Sequence, residues 1–215
     1  METKLKKSLT AGQILSIKQK SITLGGEWGN CLGTIGRHGM VLVWGGSGSG
    51  KSSGVMMLAR ELCKFGRVLY VSMEEGFSLS FQQSLRRFGL EKAGPMFNAI
   101  EGCGFEDLTR RLFRRKSAEF VVIDSIQYIG LNYKKYCFLK AQFPNKLFIL
   151  ISHACGRQPD GRGAVSIMYD ADVKIWVEGG KAFTRGRFFG PTGEAVIWPE
   201  RAFEYYGNID GIKED

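Results

Sequence analysis

Long apolar runs are missing from this 215-residue chain. A transmembrane helix needs about 20 consecutive apolar residues, and no stretch of the sequence approaches that length. Residues 1–8 are basic, but no apolar secretory segment follows them. We therefore expect a cytoplasmic protein with no membrane partner.

Paired cysteines are missing as well. The cysteines are odd in number and scattered, and no two of them form a C-x-x-C pair. This pattern argues against a disulfide framework and against a zinc module. We expect most of these thiols to be buried and to behave as small apolar groups. They are Cys31, Cys63, Cys103, Cys137 and Cys155.

The chain carries an excess of positive charge. The formal net charge is +9, while the apolar content of 44% is ordinary for a soluble globular protein. Such a charge favours a polyanionic partner, but it also suits nucleotide phosphates or simple solubility. Composition leaves these alternatives open.

The sequence GGSGSGKS at residues 45–52 fits the pattern G-x-x-x-x-G-K-[ST]. The glycines allow backbone N–H groups to wrap an anion. Lys51 supplies a charge for the β- and γ-phosphates, and the Ser52 hydroxyl can bind Mg²⁺. An apolar strand is predicted before the loop and a helix after it, which a flexible linker would not have. The predicted phosphate-binding residues are Gly45, Gly46, Ser47, Gly48, Ser49, Gly50, Lys51, Ser52 and Ser53.

Strands and helices alternate from residue 40 onwards. Continuous apolar strands between helices predict an α/β fold with a parallel sheet covered on both faces. After residue 171 short strands with glycine-rich joins predict an antiparallel end to the sheet, with Gly179 and Gly180 in a hairpin turn. The predicted strands are 40–44, 67–72, 96–100, 120–124, 147–152, 173–177, 182–187 and 195–198, and the helices are 53–65, 77–88, 105–116 and 133–143.

Residues 1–39 are predicted to form an N-terminal arm, and residues 40–215 a single core domain. Thr10 and Gln13 have the spacing of a capping box, which predicts a short helix running to Lys20. The glycine-rich residues 25–29 are predicted to be a loop.

Acidic residues follow two of the predicted strands. Asp124 ends the strand FVVID, where it can hold Mg²⁺ beside the phosphate loop or else cap the next helix. Glu74 and Glu75 follow the strand RVLYVS, and carboxylates there face the ligand side of a parallel sheet. One of them can activate water for attack on a γ-phosphate. The alternative is a solvated acidic loop.

This ordered set of motifs resembles the RecA/RadA/DnaB-like ATPases. GGSGSGKSS resembles Walker A, VLYVSMEEG the strand that ends in the catalytic glutamate, and VVIDSIQ Walker B. The last two are most similar to the RadA branch. ILISHACG resembles the sensor strand, and RGRFFGPTGE occupies the place of the basic motif. The resemblance covers about residues 24–206 and implies a RecA-like fold that binds ATP and Mg²⁺.

The resemblance also implies roles for single residues. Glu74, rather than Glu75, occupies the place of the catalytic glutamate. His153 matches the polar sensor of the γ-phosphate, unless it is only a hydrogen-bonded histidine. Arg185 and Arg187 match basic residues that reach the nucleotide of an adjacent subunit, which implies a homo-oligomer, either ring or filament. The alternative for these arginines is a solvated hairpin.

Two segments match the DNA-binding loops of these ATPases. The first, residues 125–135, carries Lys134 and Lys135, and the second, residues 154–167, carries Arg157 and Arg162. Cations interleaved with aromatic rings suit single-stranded DNA. The second segment is glycine-rich and is predicted to be mobile. Exposed loops are also often basic without binding anything.

The sequence departs from the larger members of this family. It lacks the four-cysteine zinc module and protease-like domain of RadA and the helical domain of DnaB, and it has TRGRFFG in place of KNRFG. It is similar to a minimal RecA core of the kind found in phages and mobile elements. The predicted function is an oligomeric Mg-dependent ATPase acting on DNA in recombination, repair or replication. One alternative is an ATP-dependent switch that binds a protein. The other is a small-molecule kinase, but such kinases usually carry an arginine-rich lid, and the glutamate after the second strand and the antiparallel end of the sheet fit the ATPases better.

Overall fold

The computed structural model describes residues 7–207. Within this range the strands are β1 (Ser21–Thr23), β2 (Thr34–Gly36), β3 (Gly39–Gly45), β4 (Val68–Ser72), β5 (Phe97–Glu101), β6 (Phe120–Asp124), β7 (Leu147–Cys155), β8 (Gln158–Pro159), β9 (Val173–Glu178), β10 (Lys181–Thr184) and β11 (Glu194–Val196). The α-helices are α1 (Ala11–Leu15), α2 (Gly26–Leu32), α3 (Lys51–Leu62), α4 (Leu79–Arg87), α5 (Phe105–Leu112), α6 (Tyr133–Gln142), α7 (Arg162–Asp170) and α8 (Pro199–Tyr206), and a 3-10 helix spans Leu90–Met96.

The main sheet has the strand order β11-β10-β9-β3-β7-β6-β4-β5. The six strands from β9 to β5 are parallel, whereas β10 and β11 pair antiparallel at one edge. This confirms the predicted α/β fold, including its antiparallel C-terminal strands. Strands β1 and β2 form a separate antiparallel pair, and β8 folds back on β7.

Each face of the sheet carries its own apolar layer. Successive side chains of a strand point to opposite faces, so Val41 and Val43 of β3 pack in the layer with α3. Leu42 and Trp44 pack in the opposite layer, with residues of α5, α6 and α7. Cover on both faces explains why the central strands are continuously apolar.

The prediction of a loop at residues 25–29 was wrong, because α2 begins at Gly26. Its glycines serve close packing, since a Cβ on Gly29 would lie 2.6 Å from the carbonyl oxygen of Leu24. Trp28 is 1% exposed and belongs to the apolar layer with α3. The domain division at residue 40 stays a prediction, although residues 22–35 contribute to this shared layer.

The capping box at Thr10 is present, with both of its hydrogen bonds to Gln13. The helix ends at Leu15 rather than at Lys20, and none of its residues is buried. Helix formation is cooperative, so a helix without packing gains little from further turns. No helix within residues 7–207 has the length and apolar content to cross a lipid bilayer.

Candidate nucleotide-binding site

The glycine-rich loop joins the end of β3 to the start of α3. Gly48 and Gly50 have φ angles of +69° and +102°, a region that side chains with a Cβ rarely adopt. A Cβ on Gly45 would collide with the carbonyl oxygen of Val177 on β9. The loop therefore requires glycine at these positions. The predicted phosphate-binding role of the loop requires glycine there as well.

Lys51 is the first residue of α3, and its Nζ donates a hydrogen bond of 2.7 Å to the carbonyl oxygen of Gly46. Burial lowers the pKa of Lys51, while the charges of Glu74 and Asp124 oppose that shift. The ammonium group thus stands at the positive end of a 12-residue helix with two carboxylates near it. An incoming polyphosphate would add negative charge where this cation and the helix dipole favour it.

The loop is supported from outside by the β9–β10 turn. The N–H of Gly180 donates to the carbonyl oxygen of Ser49 at 3.2 Å. The carbonyl oxygen of Gly180 in turn accepts from the N–H groups of Ile197 and Trp198 at 2.8 and 3.0 Å. This turn brings Trp198 to the mouth of the site, with 45% of its surface exposed.

A cleft of about 510 Å³ opens above the loop. It brings together residues from β6, β7, the loop after β4 and the start of α3, as the motif order predicts. Gly45, Gly46 and Ser49 do not line this cleft, and the last two line a neighbouring one. Among its lining residues are Lys51, Ser52, Glu74, Asp124, His153 and Trp198.

Asp124 is the last residue of β6 and is 8% exposed. The hydroxyl of Tyr70, on the adjacent strand β4, donates to Asp124 Oδ2 at 2.6 Å. Burial raises the pKa of Asp124, and hydrogen bonds from Tyr70 and Ser52 oppose this shift. A carboxylate and a hydroxyl therefore meet where the predicted metal site lies.

The two neighbouring glutamates point to different partners. Glu74 lines the cleft, and its backbone N–H donates to the carbonyl oxygen of Asp124 at 3.3 Å. Glu75 instead accepts hydrogen bonds from the hydroxyls of Ser78, at 3.1 Å, and Ser80. It thereby joins the cap of α4, so only Glu74 is available to a ligand in the cleft.

His153 lies on β7 directly beside Gly45 in the parallel register of β3 and β7. Its Nε2 is 2.9 Å from Oε2 of Glu74. The ring of Tyr128 meets the imidazole edge to face, with centroids 5.9 Å apart. The structure thus joins the predicted sensor and the predicted catalytic glutamate in one hydrogen-bonded pair.

Gln127 does not line the cleft, but it binds two residues that do, His153 and Asp160, and sequence reasoning gave it no role. Its amide nitrogen donates to Ser152 Oγ at 2.8 Å and to the carbonyl oxygen of Asp160 at 3.2 Å, while its amide oxygen accepts from the N–H of His153 at 3.4 Å. Gln127 belongs to the VVIDSIQ motif, and this motif is the only feature of the sequence that points to it. It links the segment after β6 to the segment after β7.

The predicted DNA-binding segments are more ordered than expected. The second contains the β7–β8 hairpin and the start of α7 at Arg162, so it has more regular structure than the loop that its glycines predicted, and its mobility stays a prediction. Lys134 and Lys135 lie in α6, and the ammonium of Lys135 is 4.9 Å from the ring centroid of Phe105. Arg157, Arg162 and Lys134 are exposed.

Arg185 and Arg187 were predicted to lie on a strand, but β10 ends at Thr184. The Thr184 hydroxyl donates to the carbonyl oxygen of Phe188 at 2.7 Å, and the N–H of Arg185 donates to Lys174. Both arginines are exposed, and neither lines the cleft above the loop of its own chain.

Two solved structures share this architecture. A KaiC-like protein from the hyperthermophilic archaeon Pyrococcus horikoshii OT3 is 17% identical, with a TM-score of 0.59, over 83% of this chain and 99% of that one. The flagellar accessory protein FlaH from Methanocaldococcus jannaschii is 18% identical, with a TM-score of 0.60. The match covers 81% of this chain and 90% of that one. No family model matches the chain, and no curated protein does.

Sheet order, loop and cleft together define a phosphate-loop protein of the α/β class. More particularly, its fold is that of the RecA-like proteins.

Proposed function

We propose that this chain is a Mg-dependent ATPase of RecA type. The observation that carries the proposal is the convergence of Lys51, Glu74 and Asp124 on one cleft at the start of α3. A cation, a general base and a metal-binding carboxylate are the parts that phosphoryl transfer to water requires. The RadA-like branch and the phage or mobile-element type are part of the proposal.

Ser52 and Asp124 would hold Mg²⁺. This ion usually takes one or two protein ligands and completes its shell with phosphate oxygens and water, so a larger cluster of ligands is not needed. Tyr70 occupies one oxygen of Asp124 and thereby fixes the orientation of the carboxylate. When bound, Mg²⁺ neutralises charge on the phosphates.

Lys51 and the backbone N–H groups of the loop would bind the β- and γ-phosphates. Glu74 would accept a proton from the attacking water. His153, through its hydrogen bond to Glu74, would orient that carboxylate and contact the γ-phosphate. The indole of Trp198 offers an aromatic surface for the base at the mouth of the cleft.

Lys51→Ala tests the assignment directly. ATP turnover should fall to background while the far-ultraviolet circular dichroism spectrum stays unchanged, because Lys51 is a ligand and not a core residue. Lys64→Ala is the matched control, since this exposed lysine ends the same helical region and pairs with Glu61 at 2.7 Å. Unchanged turnover in a folded Lys51→Ala protein would refute the phosphate-loop assignment.

DNA is the partner we propose, and the protein is proposed to act on it as a ring or filament. Arg162, Lys134 and Arg157 supply exposed positive charge on the two segments that Gln127 links. Lys135 is a weaker candidate because it already contacts Phe105. Fluorescence anisotropy with a labelled single-stranded oligonucleotide across a salt series tests this. Arg162→Ala with Lys134→Ala should lower the log–log salt slope by about 1.4, the value for two phosphate contacts.

The alternative is an ATP-dependent switch that binds a protein and not DNA. One structural neighbour is a flagellar accessory protein, which favours this alternative. Absence of oligonucleotide binding at low salt, with and without an ATP analogue, would favour it over DNA.

A further inference from the structure

The densest run of positive charge in the sequence lies at the end of α5 and in the turn after it. Residues 110–116, RRLFRRK, hold five cations and no acidic residue, which is more than half of the net charge of +9. All five cations are exposed, and so is Phe113 between them, at 60%. We propose that this basic surface binds single-stranded nucleic acid, at a place separate from the two segments assigned to DNA above. It consists of Arg110, Arg111, Phe113, Arg114, Arg115 and Lys116.

The basic surface lies at the opposite edge of the sheet from the nucleotide cleft. Strands β5 and β6 are both parallel to β4, so α5, which joins them, runs back towards the edge where the strands begin. Strand β6 then starts at Phe120 and reaches Asp124 in the cleft after about 13 Å of extended chain. None of the six residues of the basic surface lines that cleft. The inference therefore goes beyond the ATPase function.

Hydrogen bonds and packing hold the basic surface in place. The hydroxyl of Ser117, in the turn after α5, accepts from Nζ of Lys146 at 2.8 Å. The carbonyl oxygen of Ser117 accepts from the guanidinium of Arg67 at 3.4 Å. The ring of Phe113 packs against Phe143, with ring centroids 4.8 Å apart. The exposed ring and the cations around it thus stand on a supported turn, and two further cations border that turn.

Helix stability does not account for this charge. Cations in the last turn of a helix are favoured by its dipole, and Arg110 and Arg111 occupy that turn of α5. The other three cations follow the end of the helix, where this effect is lost. Among the five, only Arg110 forms an ion pair in the described part of the chain, with Asp107 at 2.7 Å. Because like charges this close repel one another, a polyanion bound here would relieve the repulsion.

A strand that carries both phosphates and unpaired bases matches this surface. Guanidinium groups bind phosphate through two parallel N–H donors, and four of the five cations are arginines. The exposed ring of Phe113 can stack on an unpaired base, as single strands offer. A lipid bilayer fits less well, because a helix that lies on a membrane buries its apolar side in lipid. The apolar side of α5 is buried in the protein instead, through Phe105, Leu108 and Leu112.

Binding is measured on the full chain carrying Lys134→Ala and Arg162→Ala, without nucleotide, so that the two segments assigned to DNA above contribute little. The probe is a labelled oligothymidylate of about eight nucleotides, a length within the usual range of single-strand sites. The readout is fluorescence anisotropy across a salt series. Adding Arg114→Ala with Arg115→Ala should weaken binding by at least about tenfold. It should also lower the log–log salt slope by about 1.4, the value for two phosphate contacts.

Phe113 is tested by separating its ring from the charges. Phe113→Ala should weaken binding by about five- to a hundredfold through lost base stacking, and the salt slope should stay unchanged because no charge is lost. Phe113→Tyr should bind like the parent, since the aromatic ring remains. Far-ultraviolet circular dichroism checks that each variant is folded. Weak binding by a folded Phe113→Tyr protein would contradict the stacking role, even if Phe113→Ala fails to fold.

Arg86→Ala with Arg87→Ala is the matched control. This exposed pair lies in the last turn of another helix, α4, and its loss changes the net charge by the same amount. Oligothymidylate affinity should then stay within about twofold of the parent. Equal weakening by the two arginine pairs would overturn the proposal, as would an unchanged affinity when Arg114 and Arg115 are both replaced.

Competition separates nucleic acid from other anionic partners. Vesicles of equimolar phosphatidylcholine and phosphatidylserine, or polyglutamate at equal charge concentration, should not displace the oligothymidylate. Displacement by the vesicles would assign the surface to a membrane, and displacement by polyglutamate would assign it to an acidic protein, so either result would overturn the proposal. None of these measurements involves ATP or the side chains of Lys134 and Arg162. A failure of the proposed function therefore leaves this test intact, and the converse also holds.

Discussion

The imidazole of His153 and the carboxylate of Glu74 meet at 2.9 Å, although β6 lies between the strands that carry their segments. The contact spans the ends of β4, β6 and β7 at the cleft. It fixes Glu74, which is otherwise an exposed side chain on a loop. A loop carboxylate held in this way is suited to act on a water molecule at one place in the cleft.

Glu74→Gln should slow ATP hydrolysis by about 10²- to 10⁴-fold, the usual contribution of a positioned base. The amide is nearly isosteric, so the affinity for a fluorescent ATP analogue should change little. Glu75→Gln is the control and should leave turnover near that of the parent, because Glu75 binds Ser78 and Ser80. If Glu75→Gln is the slow variant, the choice between the two glutamates is wrong.

Tyr70→Phe should lower the free energy of unfolding by about 1–3 kcal/mol, because it removes a donor from the buried carboxylate of Asp124. Burial already raises the pKa of Asp124, and loss of the donor should raise it further. A raised folded-state pKa costs stability as pH rises through it, so the loss should be larger at pH 8 than at pH 5. Urea unfolding at both pH values measures this.

Tyr128→Phe is the control for that experiment, since Tyr128 is 55% exposed and should change stability by less than about 0.5 kcal/mol. An equal loss for the two tyrosine variants would contradict a special role for the Tyr70–Asp124 bond.

Hydrolysis should depend on neighbouring subunits. Neither Arg185 nor Arg187 lines its own cleft, so action on a nucleotide requires another chain. Mixing Lys51→Ala with Arg187→Ala protein should partly restore turnover, because an arginine supplied in trans can accelerate hydrolysis about a thousandfold. Specific activity should also rise with protein concentration. A flat rate per subunit across that range would exclude the trans role.

Alkylation should separate the cysteines by burial. Burial raises the pKa of the Cys31 thiol to about 12 and that of Cys63 to about 11, so neither forms much thiolate at pH 8. Cys137 and Cys155 are exposed. Iodoacetamide followed by peptide mass spectrometry should find the exposed pair modified first and Cys31 modified only after unfolding. Alkylation of Cys31 as fast as Cys137 in the native protein would contradict its burial.

Much of the fold could be predicted because its signals are local. The continuous apolar strands FVVID and LFILIS need cover on both faces, and that requirement alone indicates a parallel sheet. The glycine-rich loop and Asp124 could likewise be predicted, since each follows a strand at the same edge of the sheet. The choice of Glu74 came from a resemblance, and the orientation of Glu75 toward Ser78 now gives it a physical reason.

Other features depend on contacts that no local pattern encodes. Trp198 lines the cleft, and its backbone N–H donates to Gly180 in the β9–β10 turn, a contact between segments that are distant from the glycine-rich loop in sequence. The helix at residues 26–32 was missed because glycine usually marks loops, whereas Gly29 here permits close approach to Leu24. The segment 154–167 was predicted to be a loop from its glycines, whereas it contains a hairpin and the start of α7, and Gln127 links its Asp160 to Ser152 of β7.

Gly54 is the point where distant parts of the chain meet on α3. Its carbonyl oxygen accepts from the indole of Trp28 at 3.1 Å, and a Cβ there would lie 2.6 Å from the side chain of Ile197. Helix α3, which follows the glycine-rich loop, is thus held between Trp28 near the start of the described chain and Ile197 near its end. A shorter fragment that lacks either the segment of Trp28 or the segment of Ile197 would lose one of these two contacts with α3. The geometry of the candidate site therefore depends on the assembled polypeptide, and we expect the eight-residue loop motif to lose it if the motif is grafted elsewhere without both flanks.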